Sequence, residues 1–169
     1  MVEYKLRKYM SIMTKIGEVF IVIEDEHIVA VHMGREDFQH SENVVEVTLD
    51  EENPLLQKAS LQLKEYFSGK RIDFDLPLKA EGTEFQTKVW NELKAIPYGE
   101  TRSYQDVAAS IGNQKAVRAI GQANKANKLP ILIPCHRVIG KDKTLTGYAG
   151  TRINIKKDLL LLEGASFQK

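Results

Sequence analysis

The chemistry of this 169-residue chain centres on its only cysteine, Cys135, which is followed directly by His136. A thiol becomes a strong nucleophile when a nearby base takes its proton, and imidazole is the commonest base for that task. A solitary cysteine is more often a small apolar core residue. The adjacent histidine favours the role of nucleophile for Cys135, because a cysteine that only fills the core does not need an imidazole beside it.

The two residues lie in an apolar run from Leu129 to Ile139 that contains Pro130 and Pro134 and predicts an extended segment. Neighbouring side chains on an extended strand point to opposite faces. Contact between thiol and imidazole would therefore need a turn or a water molecule between them. A single cysteine also excludes an internal disulfide and a multi-cysteine zinc site, so Cys135 is expected to act as a thiol. We expect no metal and no cofactor.

Three short helices are predicted to position this segment. The first is capped by Thr83, and its apolar face is formed by Phe85, Val89, Trp90, Leu93 and Ile96. Ser103 and Asp106 form a capping box that opens the second helix. Asn113 opens the third, which runs to about Ala126. Two short helices joined by a glycine-containing turn are the outline of a helix-turn-helix.

The third predicted helix has two different faces. Apolar residues recur on one face at helical spacing, namely Ala116, Val117, Ile120 and Ala123. Polar and basic residues follow on another face, namely Lys115, Arg118, Gln122 and Lys125. Ala119 and Gly121 are small enough to let a phosphate backbone approach the helix closely. The basic face can bind DNA, or it can be an ordinary charged surface.

The first half of the chain predicts an α/β region. Three apolar segments form an antiparallel meander, namely residues 4–13, 19–23 and 28–33. A helix runs from Asn53-Pro54 to Ser68-Gly69. Residues 35–53 have no assigned structure. Together with the helical second half, these elements make the fold class α/β, more specifically α+β.

Charge changes sign along the chain. Residues 1–80 carry 10 Lys and Arg against 15 Asp and Glu, whereas residues 81–169 carry 14 against 8. Between Thr101 and Lys157, eleven basic residues accompany only Asp106 and Asp142. Such an excess of positive charge favours binding of a polyanion such as DNA. A basic surface that only faces solvent would show the same excess. We place a domain boundary between these two parts of the chain.

The cellular location follows from what the sequence lacks. No apolar run approaches the roughly 20 residues that span a bilayer. Residues 1–9 are too charged for a signal peptide. We therefore expect a cytoplasmic protein that does not bind membranes, and its lone thiol suits a reducing compartment.

The motif Pro-Cys-His-Arg-Val at residues 134–138 closely resembles the signature of the O6-alkylguanine-DNA alkyltransferases, the methylated-DNA–protein-cysteine methyltransferase family. Other segments resemble the family in the same order, namely residues 83–101, 103–104, 116–121, Asn127, 147–150 and 159–164. Residues 1–80 match only in general plan. The resemblance implies a ribonuclease H-like N-terminal domain and a helical C-terminal domain with a winged-helix-like helix-turn-helix.

The resemblance also implies roles for the reacting residues. Cys135 would accept the alkyl group, His136 would act through a water as its base, and Glu163 would orient the imidazole. Tyr104 would crowd the phosphate and donate a hydrogen bond to the guanine. Arg118 would enter the base stack where the nucleotide leaves.

Further residues are implied to bind the substrate. Asn127 would hold the recognition helix and the cysteine segment together. The pocket for the flipped base would be lined by Val138, Tyr148 and Ala149. The remaining DNA contacts would come from Ser103, Lys115, Gln122 and Lys125.

The implied function is DNA repair by direct reversal. An alkyl group would move from O6-alkylguanine in duplex DNA to Cys135 after base flipping, once per protein molecule, with O4-alkylthymine as a further candidate substrate. The partner would be double-stranded DNA that contains alkylated guanine, and the protein would act as a monomer. Two residues depart from the family pattern, because Thr151 and Lys143 stand where glycine is usual. The first puts a preference for large adducts in doubt.

Three other functions are compatible with parts of the sequence. An alkyltransferase-like protein would flag lesions without repairing them, but such proteins lack the acceptor cysteine. A helix-turn-helix regulator with a structural cysteine leaves residues 134–137 unexplained. A thiol hydrolase would need an oxyanion site, and no segment indicates one.

Overall fold

The computed structural model of the protein describes residues 6–43, 46–145 and 153–167. The chain forms two compact units, residues 1–79 and residues 80–169. Within the described residues, no helix combines the length and the apolar character that crossing a membrane requires.

The first unit is built on a four-stranded sheet in the order β3-β2-β1-β4. Its strands are β1 (Arg7–Thr14), β2 (Gly17–Glu24), β3 (His27–Met33) and β4 (Val47–Leu49). The first three pair antiparallel, which confirms the predicted meander, and β4 adds a parallel edge strand beside β1. Its helices are α1 (Arg35–Ser41) and α2 (Pro54–Phe67). The sequence does not predict α1 and β4, because elements this short show no clear hydrophobic period.

The α2 helix begins where the sequence predicts. The side chain of Asn53 accepts hydrogen bonds from the backbone N–H groups of Leu55 and Leu56 at 2.9 and 3.1 Å, and Pro54 occupies the first turn. The helix packs on β1 and β2, while Phe20 and Val22 of β2 join a second apolar cluster with α1. Because both faces of β2 are covered, its central residues form a continuous apolar run.

A cluster of charged side chains joins β1, β2, β3 and α1 of this unit. Arg7 donates to Glu42 through Nε and Nη2 at 3.0 and 2.6 Å, and to Glu24 through Nη1 at 2.8 Å. Nε2 of His32 lies 2.9 Å from Oε1 of Glu42, and its Nδ1 lies 3.7 Å from Oδ2 of Asp37. Burial lowers the pKa of His32, but Asp37 and Glu42 outweigh burial and raise it above 6.5. Burial raises the pKa of Glu42, but bonds from His32 and Arg7 bring it below 4.5.

We expect the first unit to be most stable between pH 4.5 and 6.5. The raised pKa of His32 contributes stability that is complete below pH 6.5 and is lost as the pH rises through the native value. The lowered pKa of Glu42 contributes stability that is present above pH 4.5 and is lost as the pH falls through the native value. Urea unfolding at a series of pH values, followed by the NMR signals of β2, measures the loss of stability at both acidic and alkaline pH. His32→Gln should remove the loss of stability above pH 6.5 and weaken the loss at acidic pH, because His32 also lowers the pKa of Glu42. A wild-type midpoint that is flat above pH 6.5 would contradict the prediction.

The second unit combines short helices with a small two-stranded sheet. Its helices are α3 (Glu84–Lys94), α4 (Tyr104–Ser110), α5 (Val117–Lys125) and α6 (Ile153–Glu163). Its strands are β5 (Arg102–Ser103) and β6 (Val138–Ile139), which pair parallel. The residues Cys135–Arg137 form one turn of 3-10 helix directly before β6. α3, α4 and α5 pack on one another, and this arrangement confirms the predicted helix-turn-helix.

Local hydrogen bonds fix where these helices begin. Both predicted capping residues, Thr83 and Ser103, form complete capping boxes. The prediction that Asn113 opens the third helix is wrong. The N–H of Asn113 bonds to Ala108 at 2.9 Å and closes α4, so that α5 starts at Val117. Indole Nε1 of Trp90 in α3 donates to the carbonyl of Ala123 in α5 at 2.9 Å and fixes the packing of these two helices.

Candidate active site

The segment that carries the cysteine is a series of turns, and the predicted extended run is wrong. The N–H of Ile133 bonds to the carbonyl of Leu129 at 2.8 Å, and Ile131 between them has φ of 74°. Pro134 then precedes the 3-10 turn that contains Cys135 and His136. Side chains that follow one another in such a turn diverge by about 120°, whereas those in a strand diverge by about 180°. Thiol and imidazole therefore do not lie on opposite faces of a strand.

The imidazole of His136 is held in one orientation by a carboxylate. Its Nε2 lies 2.7 Å from Oε2 of Glu163, and both side chains are fully buried. A carboxylate only accepts hydrogen bonds, so Nε2 carries the proton and Nδ1 carries the lone pair. Within the described residues, Nδ1 of His136 has no hydrogen-bond partner. The ring atom that can accept a proton is thus available for one.

Burial lowers the pKa of His136 below 6.5. Glu163 raises this pKa, but it does not outweigh burial together with the positive charges of Arg137 and Lys156. The imidazole is therefore neutral at neutral pH, as a general base must be.

Arg137 is a site residue that the sequence analysis did not identify. Its Nε and Nη2 donate to the two oxygens of Glu163 at 2.8 and 3.0 Å, and its Nη1 donates to the carbonyl of Ile96 at 2.7 Å. The guanidinium also lies 5.7 Å from the ring centroid of Tyr98. Its position next to His136 within the family signature was the available signal. Glu163 thus accepts hydrogen bonds from two neighbouring residues of the 3-10 turn.

Lys156 is a second residue that the sequence analysis missed. It is fully buried in α6, two turns before Glu163 and on the same face of the helix. Its Nζ donates to the carbonyl of Val138 at 2.5 Å and lies 5.9 Å from the ring centroid of Tyr104. Burial lowers the pKa of Lys156 to about 8, against an opposing electrostatic effect of Cys135. A buried cation near the sulfur favours the thiolate.

Two asparagines connect α5 to the cysteine segment. Asn127 donates to the carbonyl of Ile133 at 3.0 Å and accepts from the N–H of Leu129 at 2.9 Å. Asn124, which the sequence analysis did not identify, donates to the carbonyl of Cys135 at 3.3 Å. These bonds have the geometry for the bridging role that the resemblance implies for Asn127.

The predicted DNA-binding residues lie in several environments. Exposed side chains on α5 are Arg118, Gln122 and Lys125, whereas Lys115 is exposed in the turn before that helix. Ser103 accepts the N–H of Asp106 at 3.0 Å as the cap of α4, and Tyr104 follows it, half-buried. Val138 is fully buried in β6. Tyr148 and Ala149 lie outside the described residues.

The fold and the site together define a class of protein, a helix-turn-helix protein with a buried cysteine followed by a buried histidine that contacts a carboxylate. The sequence profile of the 6-O-methylguanine DNA methyltransferase DNA binding domain matches residues 84–165, and that of the ribonuclease-like domain of the same enzymes matches residues 7–80. The chain belongs to the 6-O-methylguanine DNA methyltransferase family, which confirms the resemblance of its sequence.

Individual relatives extend along nearly the whole chain. The constitutive methylated-DNA–protein-cysteine methyltransferase of Bacillus subtilis is 50% identical over 161 residues, which are 95% of this chain and 98% of that protein. The crystal structure of the Mycobacterium tuberculosis O6-methylguanine methyltransferase is similar with a TM-score of 0.84 and 40% identity, covering 94% of this chain and 93% of that chain. A structure of Mycobacterium tuberculosis OGT in complex with DNA has a TM-score of 0.83 and 39% identity, covering 93% and 92%.

Proposed function

We propose that the protein repairs DNA by moving an alkyl group from O6 of guanine to the sulfur of Cys135. The observation that carries this proposal is that Cys135 is followed in one 3-10 turn by His136, whose Nδ1 has no hydrogen-bond partner among the described residues and whose Nε2 is bound to Glu163. Nucleophile, base and orienting carboxylate are the three parts that activate a weak nucleophile. Membership of the family supports the same reaction.

The reaction exchanges one bond for another. The thiol proton passes through a bridging water to Nδ1 of His136, and Glu163 stabilises the resulting imidazolium. The thiolate attacks the alkyl carbon, so that a C–S bond forms as the bond between carbon and O6 breaks. The bonding electrons remain on the guanine, which receives a hydrogen bond from the hydroxyl of Tyr104 and then takes through water the proton that His136 had accepted. Lys156 favours the thiolate before the attack.

The substrate is duplex DNA from which the damaged nucleotide is flipped. Cys135 is only 3% exposed, so a base within the stack cannot reach its sulfur. Arg118 on the exposed face of α5 fills the gap in the stack, and Lys115, Gln122 and Lys125 contact the backbone. The DNA complex of the Mycobacterium tuberculosis relative supports DNA as the partner. Residues 81–169 carry both DNA binding and alkyl transfer, and residues 1–80 form a supporting domain.

Each molecule acts once, as a monomer, without a cofactor. The product on Cys135 is a thioether, which is far less labile than a thioester. Incubation with a duplex that contains O6-methylguanine should therefore add the mass of one methyl group to the Cys135 peptide, with one repaired base per protein. A free thiol after incubation with excess lesion, or repair beyond one equivalent, would contradict the proposal.

Arg118→Ala is expected to slow methyl transfer on duplex DNA by about 10- to 100-fold, because flipping a base costs a few kcal/mol. Transfer from the free base O6-methylguanine should be nearly unchanged, since no stack has to be opened. Single-turnover rates on both substrates measure this difference. Lys88→Ala removes an exposed positive charge from α3 and serves as the matched control. Equal slowing on duplex and free base would exclude the proposed role of Arg118.

A further inference from the structure

We propose that Arg137 is a positioning residue that keeps His136 uncharged by neutralising the carboxylate that His136 contacts. Its guanidinium binds both oxygens of Glu163, at 2.8 and 3.0 Å, and is itself nearly buried. Arginine is suited to this task because its planar fork matches a carboxylate and does not lose its proton in proteins. The inference rests on the proposed role of His136 as the base.

The charge balance around His136 explains why such a residue is needed. A buried carboxylate that had only the imidazole as its partner would draw a proton onto that imidazole. Nδ1 would then carry hydrogen and could not accept the proton of Cys135. With Arg137 in place, Glu163 is already neutralised, so it can orient the ring without protonating it.

Every charged group described near His136 acts in a known direction. Glu163 from α6 favours the imidazolium, whereas Arg137 from the 3-10 turn and Lys156 from α6 oppose it. Cys135 precedes the histidine and would favour the imidazolium once it is ionised. Tyr98 faces Glu163 and Arg137, and burial raises its pKa above 10, so that it adds no charge near neutral pH.

The first unit provides an internal comparison, because it contains the same three types of side chain. His32 there contacts Glu42, which Arg7 also binds through two nitrogens. The pKa of His32 is nevertheless raised, whereas that of His136 is lowered.

Several differences accompany these opposite shifts. His32 faces a second carboxylate, that of Asp37, and Arg7 is shared with Glu24. His136 instead has one carboxylate and two cations near it, and it is more deeply buried. Burial and the charge balance around the His–Glu–Arg group therefore together decide whether the pKa of the histidine is raised or lowered.

The test is a pH titration of the His136 imidazole by NMR in the wild type, Arg137→Met and Arg137→Lys. The wild-type ring should remain neutral down to below pH 6.5. Arg137→Met should shift the midpoint upward, whereas Arg137→Lys keeps the positive charge and should stay close to the wild type. Both variants lose the pair of hydrogen bonds from Arg137 to the two oxygens of Glu163. If Arg137 had only a structural role, both variants would therefore shift the midpoint of His136 alike. The acid limb of the rate of methyl transfer should move with the NMR midpoint in Arg137→Met.

Several results would overturn the inference. One is a wild-type His136 that titrates above pH 6.5, a measurement that remains possible if Arg137→Met does not fold. Another is a midpoint that is the same in Arg137→Met and the wild type, or that shifts equally in both variants. The mass of the wild-type Cys135 peptide after incubation with the lesion tests the proposed function separately. If the wild type transfers the methyl group but the His136 midpoint is unshifted in Arg137→Met, only the proposed role of Arg137 is refuted. If the wild type does not transfer the methyl group, the proposed repair function is refuted.

Discussion

Alanine in place of Cys135 is expected to reduce methyl transfer from duplex O6-methylguanine to the background level, the largest effect of any single substitution. The chain has one cysteine, so no second thiol can replace it. Cys135→Ser should be equally inactive, because a hydroxyl at neutral pH is almost never ionised and is a far weaker nucleophile. Single-turnover transfer followed by mass spectrometry of the Cys135 peptide measures both variants.

Binding provides the control for the Cys135 variants. The exposed face of α5 does not contain Cys135, so Cys135→Ala should bind a lesion-bearing duplex as the wild type does, with the same decrease as salt concentration rises. Retained binding would separate loss of chemistry from loss of folding. Residual methyl transfer by Cys135→Ala would show that another residue accepts the alkyl group and would exclude the proposed mechanism.

Glu163→Gln is expected to have the second largest effect, on both rate and stability. The carboxylate accepts hydrogen bonds with both oxygens, from His136 and from two nitrogens of Arg137. A glutamine amide replaces one acceptor with a donor, so it opposes either the imidazole N–H or the guanidinium. If the amide donates to Nε2, the ring proton moves to Nδ1 and the base is lost. Transfer should fall by about 10³- to 10⁴-fold, as expected for loss of tautomer control.

The same substitution should lower the free energy of unfolding by about 3–5 kcal/mol, because it leaves the buried Arg137 without its counter-charge. Urea denaturation followed by the fluorescence of Trp90, the only tryptophan and a residue of the second unit, measures this loss.

A matched control comes from the first unit. Glu42→Gln disrupts the related group formed with Arg7 and His32, outside the residues of the proposed reaction. It should destabilise the protein while the transfer rate per folded molecule stays at the wild-type value. Slowing of transfer by Glu42→Gln to the same extent as by Glu163→Gln would mean that stability, and not orientation of His136, explains the loss.

The elements that the sequence predicts correctly are those that depend on neighbours along the chain. Thr83, Ser103 and Asn53 cap helices through bonds to N–H groups two or three residues away. Alternating apolar residues likewise predict the meander of β1, β2 and β3, because the period of side chains along a strand is local. Cys135 and His136 stand out for the same reason, as neighbours with complementary chemistry.

Other features depend on contacts between distant residues, and only the tertiary structure decided them. Arg137 and Glu163 meet across 26 positions of sequence, and Trp90 binds the carbonyl of Ala123 across 33. The start of α5 and the turns before Cys135 depend on backbone bonds that no periodicity reveals.

The sequence by itself determined that this protein has one possible thiol nucleophile, with an imidazole beside it, and a helix-turn-helix to carry a basic face. The tertiary structure decided the protonation of that imidazole. A pKa depends on burial and on the charges that surround the group, and folding brings these together from distant parts of the chain. The lowered pKa of His136 comes from burial and from the cations of Arg137, its neighbour in sequence, and of Lys156, which packing brings to the ring from α6.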